Sequence, residues 1–600
     1  MKKLLFAIVI CFLFFTLLPA QAKLDPAAEM KKNLQIVEKT AEIPVRAQAG
    51  FNGITAGELM TFMAFLSSDN LEGREIGTRG YDTAAAYAQS LFSLWGLRPG
   101  GDLPKPAGGP FRPEPDKPTA KPERGFLQEF PMKEALETTA SVVLETSSGV
   151  ARRSRSFAAK VDFVFDSSLP LDLSAPVVFA GYGIGEKEIA YNDLAGVDVK
   201  DKIVMIISDA PGKDDPASPF QKKELKEKYF PAMPAFRGGG IDLAKVSAIF
   251  KRGALAVLVV KNSISDGGDV YWDILSQQQV HDDKPILPDS RKKLLLPGSK
   301  GMPWEGRTML RISREMADAI LEASGETIAS LQKKIAAKYK PHSLSLPGTT
   351  LRLSNQVRFQ LAKSANVVAY IEGSDPLLKD QAVVVGGHLD HLGRRGDYIF
   401  NGAEDNASGA CGVLAAARAM AMNPEKPKRS VVFCLWTGEE EGLLGSRWYV
   451  EHPLVAMENT MAYLNLDMIA QPWDEKGLRR MTRMLSIKDA DELLKRIKPE
   501  KFLLLTIAAD APDLKAALLE ANRSVGFDAL YRESPRAMDR MSGGSDHATF
   551  ALAGRPFAAF MSGMGEDYHT PADSMEKFSG AVMEKVSRLV FLAAFMLADK

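Results

Sequence analysis

His388 and Asp390 follow one apolar run, Val383-Val384-Val385, and Glu439, Glu440 and Glu441 follow another, Val431 to Trp436. Between them, Glu404 and Asp405 stand just before Asn406-Ala407-Ser408-Gly409, where an Ala-rich helical pattern begins. Asp467 closes a third apolar run, where a carboxylate is costly to place without a partner, and His569 lies in the turn Asp567-Tyr-His-Thr-Pro571. A hydrolytic centre of two zinc ions needs about two neutral nitrogen ligands and three carboxylates, one of them bridging, with a position left for water. His388, Asp405, Glu440, Asp467 and His569 supply that set. Asp390, two positions after His388, shares its face of an extended segment and is placed to accept the imidazole's other N–H. Glu439 precedes Glu440 and is placed to face a bound water, although spacing alone does not rank Glu439, Glu440 and Glu441 as base, ligand and bystander.

Singly, each residue has a plainer reading: a helix N-cap for Asp467, a turn hydrogen bond for His569. Their coincidence at separate strand ends is what argues for a site. Of the seven histidines, His388, His391, His547 and His569 fall in this C-terminal segment. Ser545-Asp546-His547 puts three triad residue types in a row, but adjacent side chains do not form that geometry. No G-x-S-x-G elbow, phosphate-binding glycine loop or H-E-x-x-H helix is present.

The elements that must position these residues read as an α/β fold. From Ser364 onward strands alternate with helices, which predicts a doubly wound, mixed, mostly parallel sheet with flanking helices and a ligand crevice at the carboxyl ends of its strands. Residues 23 to about 50 read as a solvated lead-in helix, and Gly57 to Leu97 as two amphipathic helices. A proline-rich loop is expected at 98–125 within an N-terminal portion 23–150. A β-rich unit with its own core follows at 165–297, then a connecting segment 298–365 with helix from Met316 to Tyr339, and the metal-bearing domain 366–600. Beyond Ile469 the reading is helix-rich to about Asn522, with a strand at Pro556 to Met561 and a final helix.

Six hundred residues exceed one core. With 75 basic and 75 acidic residues, the charge balance points to neither a nucleic acid nor an anionic membrane as partner. Lys2-Lys3, the apolar run Leu4 to Leu18 and Ala20-Gln21-Ala22 form a charged, apolar and A-x-A series, so 1–22 is expected to be a signal peptide cleaved after Ala22 and the mature chain to be exported. Cys11 leaves with it; Cys411 and Cys434 remain, in apolar surroundings that suggest core residues.

The series GGHLDHLG, NGAEDNASG, WTGEEEGLLGS, NLDM, GGSDHATF and YHTPADS resembles the secreted two-zinc aminopeptidase family, which includes glutamate carboxypeptidases and, more distantly, glutaminyl cyclases. FAGYGI, DVKDKIVMI and GALAVLVV resemble the protease-associated domain that some members carry as an insert, and LEGREIGTRGY resembles the part of the catalytic domain that precedes it. The resemblance implies a zinc exopeptidase fold interrupted by the insert. It implies one zinc on His388, Asp405 and Asp467, and a second on Asp405, Glu440 and His569, with Glu439 as general acid/base and Asp390 as supporting partner. Glu404 stands where the family more often has Asp, and Glu441 where a neutral residue is commoner. The implied substrates are peptides with a free N-terminus; a carboxypeptidase, a cyclase-like acyltransferase and a metal-free binding protein of the same fold are the alternatives.

Overall fold

The structure, a computed structural model, describes residues 32–103, 124–148, 151–165, 169–230, 240–262, 280–281, 284–285, 293–298, 307–484, 490–534, 544–565 and 567–600. The expected signal peptide and most of the proline-rich loop lie outside them. Among the described residues no helix is long and apolar enough to cross a membrane.

The strands that matter to the site are β1 (Leu127–Ser148), β2 (Leu171–Phe179), β3 (Ile203–Ile207), β4 (Ala256–Val260), β5 (Thr308–Ile312) and β6 (Leu344–Ile371). They continue with β7 (Ala382–His388), β8 (Ser430–Trp436), β9 (Thr460–Leu466), β10 (Phe502–Ala508), β11 (Asp528–Ser534) and β12 (Phe557–Met561). The helices are α1 (Ala56–Leu66), α2 (Arg79–Leu94), α3 (Gly409–Met422), α4 (Leu444–Glu451), α5 (Pro512–Val525) and α6 (Ala581–Asp599).

β12, β9, β7 and β8 run parallel at the centre of the first sheet, with β6 antiparallel beside β8. At the other edge β10 is antiparallel to β12 and parallel to β11. Every residue of β7 and β8 is buried, as expected of parallel strands covered on both faces, and that is why they read as unbroken apolar runs. Helices α1, α2, α3, α5 and α6 supply the rest of this core. Thr55 and Thr78 start α1 and α2, their hydroxyls accepting from the backbone of Glu58 and Tyr81.

A second core lies in a second unit. β2, β3, β4 and β5 run parallel there, and Val177, Met205, Leu258 and Leu310 are fully or almost fully buried. Its bounds differ from the sequence expectation. The segment 298–365 is not a connector: β5, the helices Arg314–Leu321 and Ile328–Ala336, and Leu351 and Leu353 of β6 all lie in this core, joined by Val142 and Leu144 of β1. The helix expected through Tyr339 breaks at Gly325, whose φ of 72° suits glycine. Residues 32–50 also differ: Leu34–Gln35 pairs antiparallel with β11, and Val37 and Ala47 are buried rather than solvated. β1 and β6 are hydrogen-bonded to each other from Leu127↔Val367 to Thr146↔Thr349, with one register shift at Arg358/Phe359, and this ribbon carries the chain between the two cores.

Candidate metal centre

β7 ends at His388, and the chain then turns. The register leaves no room for a side chain just before it, since a Cβ on Gly387 would stand 2.6 Å from the carbonyl oxygen of Leu466. The turn changes the role expected for Asp390. Its carboxylate does not take the imidazole N–H: Oδ1 is 3.9 Å from His388 Nδ1, while the backbone carbonyl of Asp390 is 3.0 Å away and orients the ring. The two-residue rule for extended chain fails because β7 has already stopped. The Asp390 carboxylate instead accepts the backbone N–H groups of Glu439 (3.2 Å) and Glu440 (3.4 Å), holding the turn after β8 against the turn after β7.

Asp405 enters on the segment before α3 and is shared. Its Oδ1 is 3.2 Å from His388 Nε2 and its Oδ2 is 2.8 Å from His569 Nε2. Asp467, just past β9, places Oδ1 3.7 Å from His388 Nε2. Glu440 Oε1 lies 3.2 Å from His569 Nε2 and 3.0 Å from His391 Nδ1. The ligand-type atoms fall into two groups, His388–Asp405–Asp467 and His391–Asp405–Glu440–His569, each within 4.8 Å. His388, Asp405, Glu440, Asp467 and His569 are therefore brought together, with Asp405 common to both groups and His391 added to one, and Glu439 is buried beside them.

The donors fit a metal. His388 Nε2, His569 Nε2 and Asp405 Oδ2 are buried and make no hydrogen bond despite these approaches. Buried polar atoms without partners are costly, and two imidazole-carboxylate shells suit zinc. Electrostatics agree. Burial pulls the His388 imidazole down, but Glu439 above all, then Asp405 and Asp467, push it well above its ordinary value. Burial likewise lowers His569, and Glu440 and Asp405 outweigh it. Burial and Glu440 act to raise Asp405, while His388 and His569 hold it below the usual carboxylate range. The pocket favours positive charge.

Several supporting residues escaped the sequence reading. Arg74, fully buried, donates to the carbonyls of Leu389 (2.8 Å), Asn401 (2.7 Å), Gly402 (3.0 Å) and Leu66, so the LEGREIGTRGY segment clamps both metal-bearing turns. Glu404 accepts from the backbone of Ala470 (3.0 Å) and Gln471 (3.1 Å), tying the segment before Asp405 to the one after Asp467. Asn406 bonds the carbonyl of Leu466 at 2.9 Å. Trp436, Tyr463, Asn465 and Ser545 form a buried hydrogen-bonded chain across β8, β9 and the GGSDHATF segment, which gives that motif a scaffolding part. His391 stands three positions past His388, beyond the strand-end pattern, so its position in the sequence carries no signal of a role. A cavity of about 270 Å³ opens beside the centre, lined by Glu404, Met468, Tyr568, Asp573 and Phe578 among others.

The model of the Peptidase family M28 matches residues 366–594. Among curated proteins, the chain is similar to aminopeptidase YwaD of Bacillus subtilis, 27% identical over 346 residues that cover 56% of this chain and 62% of that protein. The probable glutamate carboxypeptidase VP8 of Zea mays is 27% identical over 258 residues, 40% of this chain and 33% of that one. The probable leucine aminopeptidase 2 of Aspergillus oryzae is 40% identical over 108 residues, 18% and 20% of the two chains. The chain thus spans less than two thirds of the length of these curated relatives. Among solved structures, the aminopeptidase from Aneurinibacillus sp. strain AM-1 aligns over 92% of this chain and 96% of its own, at 19% identity and a TM-score of 0.46. Residues 366–594, the segment that the family model matches, carry every ligand-type side chain of the two groups.

Proposed function

We propose that the chain is an exported zinc-dependent exopeptidase that removes N-terminal residues from peptides. The observation that carries this reading is the pair of ligand groups joined through Asp405 at strand ends. His388, Asp405 and Asp467 would hold one zinc ion, and Asp405, Glu440 and His569 the other. When bound, such a pair polarises a carbonyl and lowers the pKa of water toward ~7. Glu439 takes the proton of the attacking water on its carboxylate and returns it to the departing amine. Asp390 fixes the His388 ring through its carbonyl and the Glu439–Glu440 turn through its carboxylate.

Direction of attack follows from charge. A carboxypeptidase needs a cationic clamp for the substrate's C-terminus, and the arginines nearest in sequence are engaged elsewhere. Arg394 pairs with Glu72 at 3.3 Å, Arg395 with Glu75 at 3.0 Å, and Arg447 donates to the carbonyl of Gly442 at 3.4 Å. Asp573, Asp390 and Glu439 give the surroundings a negative field that favours an ammonium group. The cavity beside Glu404 and Met468 offers room for the side chain of the residue removed. The second unit, read by resemblance as a protease-associated domain, shapes access to the site. Export rests on the charged, apolar and A-x-A series at 1–22, and N-terminal sequencing of secreted protein should begin at Lys23.

Purified full-length protein, analysed for metal and offered leucyl and alanyl anilides with their N-acetylated forms, tests this. Close to two zinc ions per chain and cleavage of only the free amines are expected, with Asp405→Ala losing both ions and Glu440→Ala mainly one. Release of C-terminal residues from an N-blocked peptide would reverse the direction, and a metal-free, inert protein would sink the reading.

A further inference from the structure

We propose that His391 is a sixth metal-binding side chain, which closes one of the two sites with four protein ligands and leaves the other open with three. This rests on the two-zinc reading above but adds a residue outside the five-ligand set that the sequence supplied.

The argument is geometric. Zinc bonds nitrogen and oxygen at about 2.0–2.2 Å, so two donors on one ion stand roughly 3 to 4 Å apart. His391 Nδ1 is 3.0 Å from Glu440 Oε1 and 4.0 Å from Asp405 Oδ2. His569 Nε2 is 2.8 Å from that same Asp405 oxygen and 3.2 Å from that same Glu440 oxygen. Two imidazole nitrogens thus converge on one pair of carboxylate oxygens, and the rings meet edge to face, with centroids 5.6 Å apart. A lone hydrogen bond from His391 to Glu440 would explain the 3.0 Å contact. It would not explain why His569, from a distant turn, brings its nitrogen to the same two oxygens without making a hydrogen bond.

The His391 ring is also held in place. Its backbone N–H meets the carbonyl of Arg74 at 3.2 Å, and a Cβ on Gly402 would lie 2.4 Å from His391 Cδ2, so only glycine lets the ring seat there. His391 is 1% exposed. Structural zinc sites are closed by four protein ligands, whereas catalytic ones keep three and an open position. By that count the His391 site is the retentive one, and the open position falls to the His388–Asp405–Asp467 site.

Full-length protein stripped of metal and titrated with zinc against a chromophoric chelator should show two binding steps. His391→Ala should weaken the tighter step by well over 100-fold, beyond the about 10- to 100-fold that losing a residue which only orients a ligand costs, and leave the weaker one in place, whereas His388→Ala should weaken the other. Because His391→Ala could lower stability, zinc-edge X-ray absorption of the unaltered holoprotein gives a second readout. Scattering from three imidazoles per zinc pair supports the proposal, and two overturn it. Unchanged binding steps in a folded His391→Ala protein overturn it as well while leaving the two-zinc reading standing. Absence of any zinc step in the unaltered protein would remove both.

Discussion

Asp573 Oδ2 accepts the backbone N–H of Asp405 at 3.1 Å, and its Oδ1 accepts that of Glu404 at 2.8 Å. The turn that presents His569 therefore also fixes the backbone of the shared carboxylate, and two parts of the site far apart in the chain are set by one side chain. Burial pushes Asp573 up to about 6 even with both N–H groups stabilising its charge. An amide can accept only one of the two bonds. Asp573→Asn should weaken both zinc-binding steps by about 10- to 100-fold, the effect usual for residues that orient ligands. Chelator competition measures this, and an unchanged affinity would show that the Asp405 backbone is held by other means.

Glu439→Gln separates chemistry from metal binding. The amide cannot carry a proton, so turnover should fall by at least ~10² to 10⁴ while zinc content and melting temperature stay near those of the unaltered protein. Should Glu439→Gln remain active and Glu441→Gln be dead, the roles within the acidic triplet are exchanged.

Arg74 offers a test of the N-terminal segment. Arg74→Met would leave the carbonyls of Leu389, Asn401 and Gly402 buried without a donor. A loss of roughly 3 kcal/mol or more in stability is expected, since each buried carbonyl left without a donor costs about 1–3 kcal/mol. Denaturant unfolding gives the loss, and zinc affinity should fall with it because both metal-bearing turns lean on this guanidinium. A loss below about 1 kcal/mol would mean that these turns hold themselves.

The second unit carries its own titrating group. Asp193 is fully buried, accepts the N–H groups of Tyr182 (2.9 Å) and Ile184 (3.1 Å), and is pushed up to about 7 by burial. Its ordinary value is 3.8, so between about 3.8 and 7 the native chain keeps a proton that the unfolded chain releases. Stability from this group is therefore greatest at low pH and declines as pH rises through that window, by as much as roughly 4 kcal/mol. Asp193→Asn retains an acceptor for the two N–H groups and removes the titration. Relative to the unaltered protein, its melting temperature should rise between pH 5 and pH 8; a constant difference across that range would count against the assignment.

The site was more legible than the scaffold. His388, Asp405, Glu440, Asp467 and His569 stood out because polar ligands at the ends of apolar strands have few other reasons to be there. His391 did not, because it lies past the strand end and its place depends on Gly402 and Arg74, which only the fold brings near. Strand β10 falls in the segment that the sequence presents as helix-rich, because Phe-Leu-Leu-Leu-Thr-Ile-Ala is buried at nearly every position, and burial on both faces erases the alternation that marks a strand. Most of β6 was missed for the opposite reason. Between Arg358 and Lys363 no side chain is buried, so the pairing with β1 rests on backbone hydrogen bonds that leave no apolar trace in the sequence.

That same pairing governs how the two units can move. Two separate linkers would let the second unit swing freely, like a weight on two strings. Two crossings laced to each other along their length act instead as a single leaf spring, stiff to stretching and to in-plane bending and compliant mainly in torsion. The register shift opposite Arg358 and Phe359 is where the lacing is interrupted, and a bulge of this kind bends the ribbon and increases its twist there. Cutting one crossing would leave the other in place with its partner still zipped along it, so the two units should stay together after a single nick in the ribbon.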